Sequence, residues 1–177
     1  QTLSITGYCN FIHKGSDECD NFLKFIGKKC EAFVAVEETR LRKGLVKMLK
    51  ERCEIMPTNA IHNHAIVPKS AHIGYGNFID AGVVIGAGAK VPNHCVIHSN
   101  ATVGYGVVLS DFVQIGAGSI INGEVIIREG TFIGSGVTIV SGVTIGKNAR
   151  IGAGSVVITS VVDGETVFGN PAQTVKK

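Results

Sequence analysis

The sequence contains no tryptophan and few other aromatic residues, and its 177 residues include only 4 prolines against 23 glycines. A chain short of large aromatic side chains and rich in glycine does not suit a helical bundle and favours a β-rich fold with many tight turns. No apolar run reaches the about 20 residues that span a bilayer, and no signal peptide opens the chain. We therefore expect a cytoplasmic protein without a membrane partner.

Paired cysteines and dense charge are also missing. The 5 cysteines follow no CxxC or framework spacing, so the sequence predicts reduced thiols, no disulfides and no metal site. The net charge is only +3, and no cluster of lysines and arginines is dense enough for a nucleic-acid surface. Nucleic acid is therefore not an expected partner, whereas a small anionic ligand is compatible with this charge.

The composition changes near Pro57, which predicts two domains, 1–57 and 58–177. Residues 3–9 and 31–38 are rich in β-forming side chains and are predicted strands. Residues 40–53 carry apolar side chains at helical spacing, which predicts an amphipathic helix. These elements indicate a small α/β domain. Because the chain begins within it, we expect that domain to be incomplete.

The second domain has a strict six-residue period. Sixteen consecutive positions, every sixth residue from Ile61 to Ile151, are Ile, Val or Leu without a slip. Such a repeat predicts a β-solenoid, in which each six residues form a short strand and a turn and three of them close a triangular coil. Coils pair as parallel strands about 4.8 Å apart, so residues eighteen apart become vertical neighbours.

The repeats resemble those of a known family. Segments such as "IGAGSI", "IGSGVT" and "IGAGSV", followed by "DGETVFGNPAQ", resemble the hexapeptide-repeat acyltransferases. Within that family, "AIHNHAIVPKSAHIG" and "INGEVIIREGTFIGSG" resemble the enzymes that acetylate sialic acid or UDP-linked amino sugars. The resemblance implies a mainly β protein, a left-handed parallel β-helix preceded by the small α/β domain.

The resemblance also implies an activity. Members transfer an acetyl group from acetyl-CoA to an amine or hydroxyl of a sugar or nucleotide sugar in glycan biosynthesis, without a metal. They form homotrimers with the active site between adjacent subunits. The acceptor, and the choice between N- and O-acetylation, are left open by the sequence.

Several positions depart from the family pattern. Tyr105 stands where the resemblance implies the catalytic histidine, Gln114 stands for a second histidine near the thioester, and His98 stands for an asparagine that contacts the substrate. Glu37 stands for a glycine near the sugar, and the acidic pair that would hold the nucleotide ribose falls on residues 9–10. These changes favour an alternative, a catalytically silent relative that binds a ligand or serves as a structural subunit.

His98 is the candidate replacement base. His62, Asp80 and His98 are eighteen residues apart, so we expect them at one corner of successive coils. An aspartate below an imidazole can hydrogen-bond and orient it, as the acid of a catalytic triad does. The hypothesis is that His98, supported by Asp80, acts as base; the alternative is a stack of solvated polar side chains. Tyr105 is either a weak catalytic group or an aromatic cap on a turn.

The co-substrate positions are carried over from the resemblance. The Gly123 backbone N–H is expected at the thioester carbonyl and Gln114 near the same end, with Ser135 and Ala153 along the path of acetyl-CoA. Basic residues of the last coils, Lys147, Arg150, Lys176 and Lys177, are candidates for its phosphates. The remaining histidines of the coils, His64, His72 and His94, are predicted to be solvated surface residues.

Overall fold

The computed structural model describes residues 2–5 and 23–175. Its strands, numbered in chain order, form three parallel faces, with one antiparallel pair at the C-terminal end of face 1. Face 1 contains β1 (Thr2–Ile5), β2 (Asn59–His62), β4 (Phe78–Ile79), β7 (Val96–Ile97), β10 (Gln114–Ile115), β13 (Phe132–Ile133), β16 (Arg150–Ile151), β18 (Thr166–Gly169) and β19 (Ala172–Thr174).

The other two faces contain five strands each. Face 2 contains β5 (Val84–Ile85), β8 (Thr102–Val103), β11 (Ile120–Ile121), β14 (Thr138–Ile139) and β17 (Val156–Val157). Face 3 contains β3 (His72–Ile73), β6 (Lys90–Val91), β9 (Val108–Leu109), β12 (Ile126–Ile127) and β15 (Thr144–Ile145). The chain passes from face 1 to face 2 to face 3 in every coil, as a left-handed parallel β-helix does.

The six-residue period fixes this register. Ile79 pairs with Ile97, Ile97 with Ile115 and Ile115 with Ile133, each eighteen residues on. These isoleucines are fully buried in one core that runs the length of the coils. Burying each side chain stabilises the fold by about 1.5–3 kcal/mol relative to exposure. The predicted stacking, without an insertion between Asp80 and Tyr105, is confirmed.

Glycine follows the buried aliphatic residue in many coils because the next coil lies too close for a side chain. A Cβ added to Gly116 would lie 2.5 Å from the backbone nitrogen of Ser135, and one added to Gly134 would lie 2.6 Å from that of Ala153. Neither glycine has a positive φ. Glycine is therefore required at these two positions by the small space between coils and not by the backbone conformation.

Helix α1 spans Thr39–Cys53, as the periodicity predicts. The Glu38 carboxylate caps its first turn by accepting from the backbone N–H groups of Arg40 and Leu41. Val46 and Leu49 are buried on its inner side. Arg42 is buried with them, while Leu41 is exposed. The buried face of the helix therefore differs from the face that the spacing of its apolar residues predicts.

The predicted strand over residues 31–38 is wrong. Residues 31–37 are not in a strand. Isolated carbonyl groups of this segment accept hydrogen bonds, but these bonds form no ladder with a neighbouring strand. The Arg42 guanidinium donates through Nη1 to the carbonyls of Val36 and Glu37, and the Thr58 N–H donates to Ala32. Residues 33–37 of this segment instead line a cavity.

The other expectations for residues 1–57 are met in part. Of the predicted strand over residues 3–9, β1 covers Thr2–Ile5 and pairs in parallel with β2; the remainder lies outside the described residues. The domain boundary after Pro57 stays a prediction. Among the described residues, no helix has both the length and the apolar character needed to cross a membrane.

Candidate active site

His98 follows β7 at the edge where face 1 turns into face 2. Its Nε2 lies 3.4 Å from Oε1 of Glu37 and 3.5 Å from Nε2 of Gln114. The ring packs edge-on against Phe78, with centroids 6.4 Å apart. The imidazole is thus held on one side by an aromatic ring and on the other by an acid and an amide.

Gln114 links the acid to the imidazole. Its side chain is buried and donates from Nε2 to Oε1 of Glu37 over 2.7 Å. An amide NH2 has two hydrogens, so the second can face His98 Nε2 while that nitrogen is unprotonated. A proton on Nε2 would face the Glu37 carboxylate instead. With its proton on Nε2 held by Glu37, the neutral imidazole has Nδ1 available to accept a second proton.

Asp80 does not provide that acid. Register puts it one coil from His98, as predicted, but its carboxylate accepts from the backbone N–H of Ala81 over 2.7 Å and from the hydroxyl of Ser99. The predicted hydrogen bond between Asp80 and His98 is therefore not formed. His62 is also bound locally, because its Nδ1 accepts from the backbone N–H of His64.

A mainly apolar cavity of about 230 Å³ opens beside His98. Residues 33–37 form one wall, and the outward side chains of β4 and β7 form the other. Its lining residues are Phe33, Val34, Ala35, Val36, Glu37, Phe78, Val96 and His98. Among the residues that the structure describes, His98 and Glu37 are the ionisable groups that line it, and both can act on a molecule bound there.

Tyr105 lies at a different edge, where face 2 turns into face 3. Its ring covers Gly123 in the coil beyond, since a Cβ added to that glycine would lie 2.4 Å from Cε1 of Tyr105. The Gly123 N–H donates to no acceptor within residues 2–5 and 23–175. This edge therefore offers one backbone donor beneath an exposed phenol ring.

The predicted site residues divide between these two edges. Asp80, His98, Ser135 and Ala153 belong to turns between faces 1 and 2, and Gln114 lies on a strand of face 1. Tyr105 and Gly123 belong to the turns between faces 2 and 3. No contact joins the two groups within the described part of one chain. Their assignment to catalysis or to acetyl-CoA stays a prediction.

Comparisons with known proteins agree on the family. Residues 124–159 match the family described as bacterial transferase hexapeptide (six repeats). The solved structure of PerB from Caulobacter crescentus, in complex with CoA and GDP-perosamine, is 31% identical with a TM-score of 0.83; the alignment covers 89% of this chain and 76% of that one. A comparison with curated protein sequences finds no match.

Two further solved structures are similar. The acetyltransferase domain of PglB from Neisseria gonorrhoeae, in complex with acetyl-CoA, is 30% identical over 88% of this chain and 76% of that one, with a TM-score of 0.82. WeeI from Acinetobacter baumannii is 26% identical over 87% and 76%, with a TM-score of 0.79. The chain belongs to the hexapeptide-repeat sugar acetyltransferases. The predicted family, fold class and acetyl-CoA dependence of this acetyltransferase are confirmed.

The acetyltransferase also has a buried polar cluster that the sequence did not reveal. His94, predicted to be solvated, is buried and stacks on Phe112 with ring centroids 4.8 Å apart. Burial lowers the pKa of His94, an effect that Asp111 partly opposes and Arg42 reinforces. Burial also raises the pKa of the adjacent Cys95 thiol to about 12, so that thiol stays protonated. This cluster joins α1 to the coils and does not reach the cavity beside His98.

Within the described residues, no group of three or more histidines, cysteines and carboxylates is arranged to hold a metal ion. The functional groups gathered at the site are those of His98, Glu37, Gln114 and backbone N–H groups. An imidazole with an acid beside it can take a proton, and a free N–H can stabilise an oxyanion.

Proposed function

We propose that this enzyme transfers the acetyl group of acetyl-CoA to the amino group of a nucleotide-linked sugar, with His98 as general base. The observation that supports this best is the cluster of Glu37, His98 and Gln114 on the wall of the cavity beside β4 and β7. PerB, whose structure contains CoA and GDP-perosamine, and the N-acetyltransferase variants related to it provide the substrate class.

The proposed reaction needs no covalent enzyme intermediate. His98 Nε2 faces Glu37 and Gln114, while Nδ1 has no partner among the described residues, so Nδ1 takes the proton of the acceptor amine. The amine nitrogen attacks the thioester carbonyl and the C–N bond forms. The oxyanion then collapses, the C–S bond breaks, and the proton returns to the sulfur of the departing CoA.

The oxyanion requires a donor, and we propose the Gly123 N–H of a second copy. The His98 edge and the Gly123 edge do not meet within one chain. Outward-facing Ile66, Val84 and Ile120 give face 2 an exposed apolar strip that an adjacent copy would bury. A closed homotrimer, the assembly that the resemblance implies, would repeat this junction three times and form one site at each. Because the reaction uses acetyl-CoA, we expect it in the cytoplasm.

Tyr105 favours a second candidate, a silent relative that binds ligands without turnover. Its ring covers Gly123, the residue proposed to stabilise the oxyanion. Tyr105 is exposed, so the ring can move aside when acetyl-CoA binds, whereas a silent protein would keep it there.

The test is a turnover assay on the intact protein with acetyl-CoA and a panel of nucleotide-linked amino sugars, set against the same sugars with a hydroxyl in place of the amine. We expect free thiol release with an amino sugar, and a product with an amide bond by mass spectrometry. Acetyl-CoA binding by calorimetry with no thiol release from any acceptor would support the silent alternative. Release only with the hydroxyl sugars would overturn N-acetylation.

A further inference from the structure

A second, larger groove adjoins the cavity on the far side of Glu37. It lies between the start of α1 and the outward side chains of face 1, with a volume of about 690 Å³. Its lining residues are Glu37, Glu38, Thr39, Arg40, Lys43, Gln114, Gly130, Phe132, Asn148 and Arg150. Because Glu37 lines both spaces, the groove continues directly from the proposed site of acetyl transfer.

The carboxylates around this groove are already engaged. Glu37 accepts from Gln114, Glu38 caps α1, and Glu129 accepts from Lys43 Nζ over 2.8 Å. Glu129 is paired with a cation, whereas Glu37 and Glu38 accept from neutral donors, so their oxygens are occupied but their charge is not neutralised.

The two guanidinium groups are different. The guanidinium groups of Arg40 and Arg150 donate to no acceptor among the described residues, and both side chains are exposed to solvent. Arg150 lies over the ring of Phe132, with its guanidinium carbon 4.9 Å from the ring centroid, which orients its plane. Unpaired guanidinium groups that flank a groove match the oxygens of phosphate groups, which accept bidentate hydrogen bonds.

The spacing along face 1 fits one extended ligand. Gln114, Phe132 and Arg150 are vertical neighbours in register, so Gln114 and Arg150 lie two strand spacings apart, about 10 Å. A sugar ring and the phosphates attached to it cover a comparable length. A ligand with its amino group at His98 would therefore bring its phosphates toward Arg150.

We propose that this groove binds the diphosphate of the nucleotide-sugar acceptor, with Arg40 and Arg150 donating to its phosphate oxygens. The direction of the ligand rests on the proposed function; the recognition of a nucleoside diphosphate rests on the groove itself. The nucleotide end of CoA carries the same diphosphate chemistry, so the experiment must separate the two sources.

The experiment is calorimetric titration of the intact protein, without acetyl-CoA, using UDP, GDP and dTDP in one arm and 3′-phosphoadenosine 5′-diphosphate in the other. We expect at least one nucleoside diphosphate to bind. The double variant Arg40→Ala/Arg150→Ala should weaken that binding by about a hundredfold, roughly tenfold for each charge-assisted contact. Arg40→Lys/Arg150→Lys, which keeps the charge but loses the planar fork, should weaken it less.

The matched control is Lys47→Ala, which removes an exposed charge from α1 outside the groove. It should leave every affinity unchanged, and the parent nucleosides, which lack phosphates, should not distinguish the variants. Equal affinity of the double variant and the wild type for the three nucleoside diphosphates would overturn the proposal. So would a loss confined to 3′-phosphoadenosine 5′-diphosphate, because it would assign the groove to CoA.

The outcome does not depend on turnover. Arginine-dependent diphosphate binding by a protein that transfers no acetyl group would support this inference and contradict the proposed function. Turnover of a nucleotide sugar with an unchanged KM in the double variant would support the proposed function and contradict this inference.

Discussion

The two edges of the β-helix that hold the predicted site residues are built by the same repeat but have different surroundings. At the His98 edge, residues from α1 and the segment before it cover face 1 and add Glu37 and a cavity to the coil residues. At the Tyr105 edge, the ring of Tyr105 in one coil packs on Gly123 in the next. The repeat therefore positions the site residues at both edges, whereas at the His98 edge the acid beside the imidazole comes from sequence outside the repeat.

Removing one side chain from each edge should have very different kinetic effects. His98→Ala should lower kcat/KM by about a hundredfold to ten-thousandfold, because it removes the general base. Tyr105→Phe keeps the ring over Gly123 and should change kcat/KM by less than about threefold. Steady-state kinetics with melting temperatures as the folding control measure both. A larger loss for Tyr105→Phe would make its phenol the catalytic group.

Within the His98 edge, Glu37 and its neighbour Glu38 separate catalysis from stability. Glu37→Gln removes the charge beside His98 and should lower kcat by about tenfold without changing the melting temperature. Glu38→Gln weakens the cap of α1 and should lower the melting temperature while leaving kcat close to wild type. The assignment of Glu37 fails if its kinetic effect does not exceed that of Glu38.

Two glycines test the packing of the edges. Gly116→Ala should destabilise the protein by about 1–3 kcal/mol, because its Cβ would meet the backbone of Ser135, which cannot move alone. For Gly123→Ala the three atoms nearest to the new Cβ all belong to the exposed Tyr105 ring, which can move, so the cost should be less than about 1 kcal/mol. Denaturant unfolding measures both. Adding Tyr105→Ala to Gly123→Ala should remove the destabilisation that Gly123→Ala causes. Equal destabilisation by Gly116→Ala and Gly123→Ala would contradict the proposed difference in packing between the two edges.

The smallest effect concerns His94, which is sealed between α1 and the coils four residues before His98. Burial lowers its folded pKa, so below about pH 6.5 the unfolded chain binds a proton that the folded chain resists. Stability should therefore be complete above that pH and decrease as the pH falls through the window between the unfolded and folded pKa values.

His94→Asn should remove that part of the pH dependence, and asparagine tolerates the positive φ of 59° at this position. Urea midpoints at about pH 7.5 and about pH 5.5 give the comparison, with the other histidines common to both proteins. A pH dependence unchanged by the substitution would mean that His94 does not resist protonation.

The repetitive part of the structure could be predicted from the sequence because each coil repeats the same constraint. A period of six determines which side chain points inward. Because three such repeats make one coil, each residue lies next to the residue eighteen positions further along the chain. The strand order, the buried core and the vertical alignment of His62, Asp80 and His98 follow from it. The split of the site between two edges follows as well.

The contacts that give His98 its chemistry could not be predicted in this way. Glu37 reaches His98 because α1 and the preceding segment dock on face 1, a contact between distant parts of the chain that no period encodes. Asp80 occupies the predicted position, but Ala81 and Ser99 offer it nearer partners than the imidazole. The joint replacement of family residues at Glu37, His98 and Gln114 was the one available signal, and the structure shows that these three side chains touch.

Subunit complementation tests whether two copies share each active site, since the proposed reaction uses the His98 edge of one copy and the Gly123 edge of another. His98→Ala removes the base, and Gly123→Val fills the space at the thioester, so each variant alone should be inactive. A mixed assembly, formed by dissociating and reassembling equal amounts, should regain about a quarter of wild-type activity, the fraction of junctions with both edges intact. No recovery in mixed oligomers of confirmed composition would contradict the account, because it would confine the site to a single chain.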